Sequence, residues 1–359
     1  MTRPMEINLK PVDRRSFFRL GAIAAGYTGL AIAGGSILEA CGSSVASTSA
    51  AATLTSVGIQ FNYLENVQFG GSFLAKQEGY YKAEGFDVTL LPGGADVSVE
   101  PVVVAGKAFV GISHTADCIP AIINGAPLTV IGAGYQRNPN CVVSKASAPI
   151  TTPTDMVGKR IGVDPPSASL FDAFRKANGL ENANIDVVTV GYDLQPLIDG
   201  EIDGKIAYIT NEPIILEEQG IKTAVLAFYA NNLPFMEELY VARTADVNNP
   251  ATLKQLGAFM RAEAMGWAKA VTDPVLAATV ATDIYGKSQN LSLSQQELEA
   301  KAQIPFVSTP DTEAHGLFWM TNSNIARTLR SLAIGGVHGQ ASFFSNKVLR
   351  EAYSGGPVV

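Results

Sequence analysis

Histidine and cysteine are both scarce, at three residues each in a chain of 359. That leaves little raw material for a multi-metal centre. Basic residues are also few: 26 Lys and Arg stand against 33 Asp and Glu, for a formal net charge of −7. Without a basic field to collect phosphates, nucleic acid is excluded as the main partner. Charged side chains make up 16% of the chain and hydrophobic ones 47%, which is too apolar for a disordered protein. Neither a Gly-x-Ser-x-Gly elbow nor a His-Glu-x-x-His zinc motif occurs. The length gives room for one large core or two smaller ones.

The first 53 residues read as an address rather than as fold. Residues 1–19 are polar and basic and end in Asp13-Arg14-Arg15-Ser16-Phe17-Phe18-Arg19, and residues 20–38 carry no charge. Paired arginines before such a run resemble a twin-arginine export signal, and Leu38-Glu39-Ala40-Cys41 resembles a lipoprotein cleavage box. Residues 1–40 are therefore expected to be the signal, Cys41 the lipidation site, and 41–53 a flexible tether of small polar residues. The alternative is an uncleaved membrane anchor. Both place the rest of the chain outside the cytoplasm. Cys118 and Cys141 then either pair in an oxidising compartment or stay as buried thiols.

Beyond residue 53, short apolar runs alternate with helical stretches. Strands are expected at 54–61, 86–91, 109–112 and 128–133, with helices at 72–84, 97–105 and 116–124. A second unit follows, with strands at 159–163, 187–190, 205–208 and 224–228 and helices at 168–177, 194–199 and 212–219. Residues 250–352 read as helical throughout. This alternation predicts an α/β protein of two lobes, each a mixed sheet flanked by helices. Lobe 1 is expected at 54–145 and lobe 2 at 146–240, with 241–359 returning to lobe 1. The crossovers fall near 135–150 and 238–246.

Several segments form an ordered set of motifs. They are Gln68-Phe69-Gly70-Gly71, the run from Leu74 through Gly79-Tyr80-Tyr81 to Val88, and Pro92-Gly93-Gly94. Gly132-Ala133-Gly134-Tyr135-Gln136-Arg137-Asn138-Pro139, Asp155-Met156-Val157-Gly158-Lys159-Arg160-Ile161-Gly162-Val163 and Tyr208-Ile209-Thr210-Asn211-Glu212-Pro213 follow in order. Gly266-Trp267-Ala268-Lys269-Ala270 with Asp273-Pro274 completes the set, which resembles ABC-importer substrate-binding proteins, most of all the binders of thiamine pyrimidine precursors. The resemblance implies a type II periplasmic-binding-protein-like fold with a ligand cleft between the lobes. It implies a monomeric, lipid-anchored binder that needs no cofactor, does no chemistry, and delivers its solute to a permease with an ATPase. A thiamine pyrimidine precursor ranks first as solute and riboflavin next, with sulfonate, taurine or nitrate as alternatives. A fungal relative of the fold is a pyrimidine synthase using a reactive Lys, a His and a cysteine-rich segment. The scattered cysteines here, and the absence of Lys from the cleft loops, weigh against that activity. A sensory or adhesive role on the same lobes stays open.

In open α/β sheets a ligand sits beyond the carboxyl ends of the strands. That rule selects loops 62–69, 113–117, 164–169 and 208–213, the same loops the resemblance points to. The candidate contacts are Asn62, Tyr63, Gln68, Phe69, Ser113, His114, Thr115, Ser167, Ala168, Tyr208, Asn211, Glu212 and Tyr229. Acidic groups are Glu65, Asp117, Asp164 and Glu212, with Glu237 and Glu238 nearby, and the four loops contain no Lys or Arg. An acid-lined, aromatic cleft suits a flat heteroaromatic with N–H donors better than an oxyanion. Glu212 is expected to accept from the ligand edge, with Tyr63 or Tyr208 stacking on its ring.

Overall fold

The computed structural model describes residues 53–94 and 97–359. The expected export signal and Cys41 lie outside them, as does the tether up to residue 52. β1 (Thr55–Gln60) runs into α1 (Gly70–Gln77) and α2 (Tyr80–Ala83), which return the chain to β2 (Phe86–Leu91), parallel to β1. The helix expected over 72–84 is thus broken in two. Gly79, at φ 77°, takes the left-handed conformation that ends the first piece, a turn open cheaply only to glycine.

The first sheet continues through α3 (Val99–Val104), β3 (Val110–Ser113), α4 (Thr115–Ile123) and β4 (Leu128–Tyr135). The chain then enters β5 (Asn140–Lys145), β6 (Arg160–Val163), α5 (Ala168–Ala177), β7 (Asp186–Thr189) and α6 (Gln195–Asp199). β8 (Gly204–Tyr208), α7 (Glu212–Glu218), β9 (Thr223–Ala227) and β10 (Glu237–Arg243) follow. The two sheets have the orders β2-β1-β3-β10-β4 and β7-β6-β8-β5-β9. In each, the strand that arrives from the other lobe runs antiparallel to both neighbours: β10 between β3 and β4, and β5 between β8 and β9.

These strands shift the limits expected from sequence. β5 lies in the second sheet although it precedes residue 145, and β10 lies in the first although it begins before residue 240. The connections are 136–139 and 228–236. Asn138 Oδ1 accepts from the Asn140 N–H at 2.8 Å, so a side chain closes a tight turn directly before β5. The expected crossover near 135–150 gave no place to β5.

The remaining helices are α8 (Thr244–Asn248), α9 (Pro250–Thr272), α10 (Pro274–Val280), α11 (Leu293–Val307), α12 (Pro310–His315), α13 (Asn322–Ile334) and α14 (Lys347–Ala352). α9 begins where Asn249 caps the N–H groups of Ala251 and Thr252, with Pro250 at the first position. Its Phe259, Met260 and Trp267 join Phe73, Leu74 and the first sheet in one core. The second lobe centres on Phe174 stacked on Phe228, with centroids 3.8 Å apart. Cys118 and Cys141 are buried free thiols, each pushed up in pKa by burial first. No helix among the described residues is long and apolar enough to cross a membrane.

A carboxylate is sunk in the first core. Glu263 on α9 is 0% exposed and accepts from Ser72 Oγ at 3.1 Å, from Tyr240 Oη at 3.2 Å, and from Tyr81 Oη. Burial, outweighing these bonds, lifts its pKa to about 7. A carboxyl raised on folding favours the protonated native state, so its contribution is full below the unfolded value near 4.5 and lost as pH rises through 7. That loss is on the order of 3 kcal/mol. Glu238 and Glu299, lifted by burial to about 7 and about 8, act with the same sign. The melting temperature should therefore fall between pH 5 and pH 8, and the fall should be shallower in Glu263→Gln. A flat profile in both proteins would contradict this.

Candidate functional site

The carboxyl ends of both sets of strands face a cleft lined from both sheets. Its first-lobe wall is organised by the start of β10. Successive strand residues normally point to opposite faces, yet Glu237 and Glu238 both serve this site. Glu238 achieves this with φ 55°, a left-handed backbone rare for a side-chain-bearing residue. Opposite it stands Gly134, where a Cβ would come within 3.0 Å of the Glu238 Cβ.

The two carboxylates gather donors from several loops. Glu237 Oε1 lies 2.9 Å from His114 Nδ1, and Glu237 Oε2 accepts from the Thr115 N–H at 3.3 Å. Glu238 accepts from Asn62 Nδ2 at 3.2 and 3.1 Å on its two oxygens, and from Gln68 Nε2 at 3.1 Å. Tyr208 reaches over from the second lobe. Its hydroxyl lies 3.1 Å from His114 Nδ1, 3.3 Å from Glu237 Oε1 and 3.2 Å from Glu238 Oε1.

Protonation follows from this packing. Burial pulls the His114 pKa down, but the hydrogen bond and charge of Glu237, with the charge of Glu238, outweigh it and lift the value to about 9. The ring is therefore an imidazolium at neutral pH. Burial raises Glu238 to about 7 against the opposing pull of His114. Donor atoms of His114, Glu237 and Glu238 lie within 4.8 Å of one another, a spacing compatible with a cation. With the imidazole protonated, however, the set works as a salt-bridged hydrogen-bonding cluster. Asn62 Oδ1 is buried with no hydrogen-bond partner among the described residues.

The structure brings Tyr63, Gln68, His114, Ser167, Tyr208, Asn211 and Glu212 together around this cleft. Asn62 and Ser113 line an adjoining recess with Glu100 and Asp117, and Ser113 Oγ donates to Glu100. Four candidates stand elsewhere. Phe69 is a core ring stacked on Phe61 at 4.2 Å. Thr115 is fully buried and donates to the Met236 carbonyl at 2.6 Å. Ala168 is an exposed residue at the start of α5, and Tyr229 packs beside Arg137 and Phe306. Glu212 uses Oε2 to accept from the Tyr208 N–H at 2.8 Å, and burial raises its pKa.

The sequence profile of the family described as NMT1/THI5 like matches residues 66–277, more than half of the chain. The chain belongs to the NMT1/THI5-like family. It is 26% identical over 330 residues to the riboflavin-binding protein RibY of Chloroflexus aurantiacus, covering 84% of this chain and 90% of that one. It is 23% identical to the formylaminopyrimidine-binding protein of Halalkalibacterium halodurans, over 66% of this chain and 72% of the relative. A 4-amino-5-hydroxymethyl-2-methylpyrimidine phosphate synthase of Schizosaccharomyces pombe matches at 27% over only 40% of this chain and 42% of its own.

Solved structures give the fold. The alkanesulfonate-binding protein SsuA from Xanthomonas axonopodis pv. citri superposes with a TM-score of 0.57 at 14% identity, covering 81% of this chain and 98% of that one. The Candida albicans CA3427 gene product, described as having the generic periplasmic binding protein fold, gives 0.56 at 15% identity over 83% and 94% of the two chains. This NMT1/THI5-like chain has that two-lobed fold.

Three cleft features of this family member were not among the candidates from sequence. Glu237 and Glu238 stood only as nearby acids, because nothing local marks Glu238 as left-handed. Tyr192 faces Tyr63 with centroids 5.0 Å apart. Lys205 gives the cleft a cation that the loops lack, from within β8. A lysine amid Gly204, Ile206 and Ala207 was the available signal, and it reads equally as a strand edge.

Proposed function

We propose that this protein is the solute-binding component of an ABC-type importer, a monomer held outside the cytoplasm by a lipid on Cys41. Its lobes, divided at the two interlobe connections, close on a small heteroaromatic solute and present the closed form to a permease with its ATPase. The observation that carries the reading is the cleft walled by Tyr63, Tyr192 and Tyr208, with the Glu237 carboxylate at its first-lobe end. Stacking on such rings contributes about 0.5–1.5 kcal/mol beyond burial. Hydrogen bonds from ligand N–H groups to the carboxylates each contribute about 1.5–3 kcal/mol.

A flavin ranks ahead of a thiamine pyrimidine precursor in this reading, reversing the order suggested by the sequence. Likeness to a riboflavin binder over nine-tenths of that protein supports this order, against a match to a formylaminopyrimidine binder over 72% of its length. Binding without chemistry is supported by the likeness to a binder over 84% of this chain, against a synthase match confined to less than half of each chain.

Calorimetric titration of the purified protein with riboflavin, an aminomethylpyrimidine, taurine and nitrate tests this. Saturable binding of riboflavin, tighter than that of the pyrimidine, is the expected result. Binding of taurine or nitrate alone would sink the heteroaromatic reading and leave a different import cargo.

A further inference from the structure

Lys205 lies at the centre of the second sheet. It pairs with Val143 of β5 on one side and Gly162 of β6 on the other, and it is 1% exposed. Its ammonium forms no hydrogen bond or ion pair with any described residue, although it lines the cleft. Its N–H donors are therefore free for whatever fills the cleft. Glu212 lines the same wall, close enough for the two charges to influence each other yet without an ion pair. The second lobe thus shows the cleft a strong donor beside a strong acceptor. Asp164, on the same wall, accepts from Ser167 and adds negative charge. A fully anionic ligand group would face both carboxylates, whereas a polarised neutral oxygen would meet the ammonium without that repulsion.

We propose that Lys205 donates to a carbonyl oxygen of the solute while Glu212 accepts from the ring N–H beside it, so that the second lobe reads a cyclic amide or imide edge. This assignment deepens the heteroaromatic reading above and rests on it. It selects diones, such as the flavin ring system, over aminopyrimidines without a carbonyl. Neither group transfers a proton or forms a bond to the ligand.

The test compares wild type with Lys205→Met and Lys205→Gln, using riboflavin, the bare dimethylalloxazine dione, and a carbonyl-free aminomethylpyrimidine as probes. Lys205→Met should weaken both diones about tenfold or more and leave the pyrimidine unchanged. Lys205→Gln, which keeps a neutral donor, should fall between. Unchanged dione affinity in Lys205→Met, or an equal loss for the pyrimidine, would each overturn the assignment alone. Wild-type protein that binds neither dione would overturn both the assignment and the flavin reading beneath it.

Discussion

Gly266→Ala should unfold this protein at temperatures where the wild type is intact, even though alanine is the better helix former. By propensity alone the change in mid-helix should stabilise by about 1 kcal/mol. Packing reverses the sign. A Cβ at Gly266 would lie 2.1 Å from the Gly71 carbonyl oxygen and 2.7 Å from the Ala75 nitrogen. Both are backbone atoms of α1, so no side chain can swing away to make room. The helices would have to separate, and Trp267 would leave the place it fills over Gly71, where a Cβ would lie 2.1 Å from its Cγ. Trp267 also donates from Nε1 to Tyr240 Oη at 3.1 Å, and Tyr240 bonds to Glu263, so separation breaks a buried chain of hydrogen bonds. The cost should be about 3 kcal/mol or more, measured as a lower urea midpoint with an unchanged slope. A melting temperature equal to or above that of wild type would mean that the two helices do not approach as closely as this.

The same pair of glycines marks the boundary of what a sequence can say. Gly266-Trp267 stood out as a shared motif, but its reason, two helix backbones nearly in contact, exists only once α1 and α9 are placed together. Local patterns were legible where the physics is local. The residues of β2 alternate buried and exposed from Phe86 to Leu90, and α5 runs over 168–177 as expected, with Asn178 and Gly179 as its stop. Cleft-facing positions were legible as far as the strand-end rule reaches, which brought Tyr63, His114, Tyr208 and Glu212 to one place. Phe69 sits in one of the same loops, but its ring turns inward to stack on Phe61, a choice made by tertiary packing. β5 was hidden because its partners β8 and β9 lie far along the chain and its turn resembles a linker. Glu238 was hidden because its left-handed backbone depends on the facing Gly134 of β4.

Tyr208→Phe should shift the lobes towards an open arrangement with little loss of stability. The hydroxyl is the only atom removed, and the ring keeps its edge contact with His114, at 6.3 Å between centroids and 87° between planes. That hydroxyl extends from the end of β8 in the second lobe to His114, Glu237 and Glu238 in the first, all within 3.3 Å. A hydrogen bond to a charged group contributes about 1.5–3 kcal/mol, so its loss should move the closed-to-open ratio about 10- to 100-fold. Because solute contacts from both lobes coexist only when the cleft is closed, affinity should fall by the same factor once the closed form is the minor one. Distance distributions between labels on the two lobes, with and without riboflavin, check the shift. An unchanged distribution would show that Tyr208 fills the cleft without latching it. The pH dependence separates the latch from the packing. His114, held up to about 9, gives up its proton above that value, and the charge binding Glu237 to the cluster goes with it. Wild-type protein should therefore open as pH passes 9, while Tyr208→Phe, already without its bridge, should respond less.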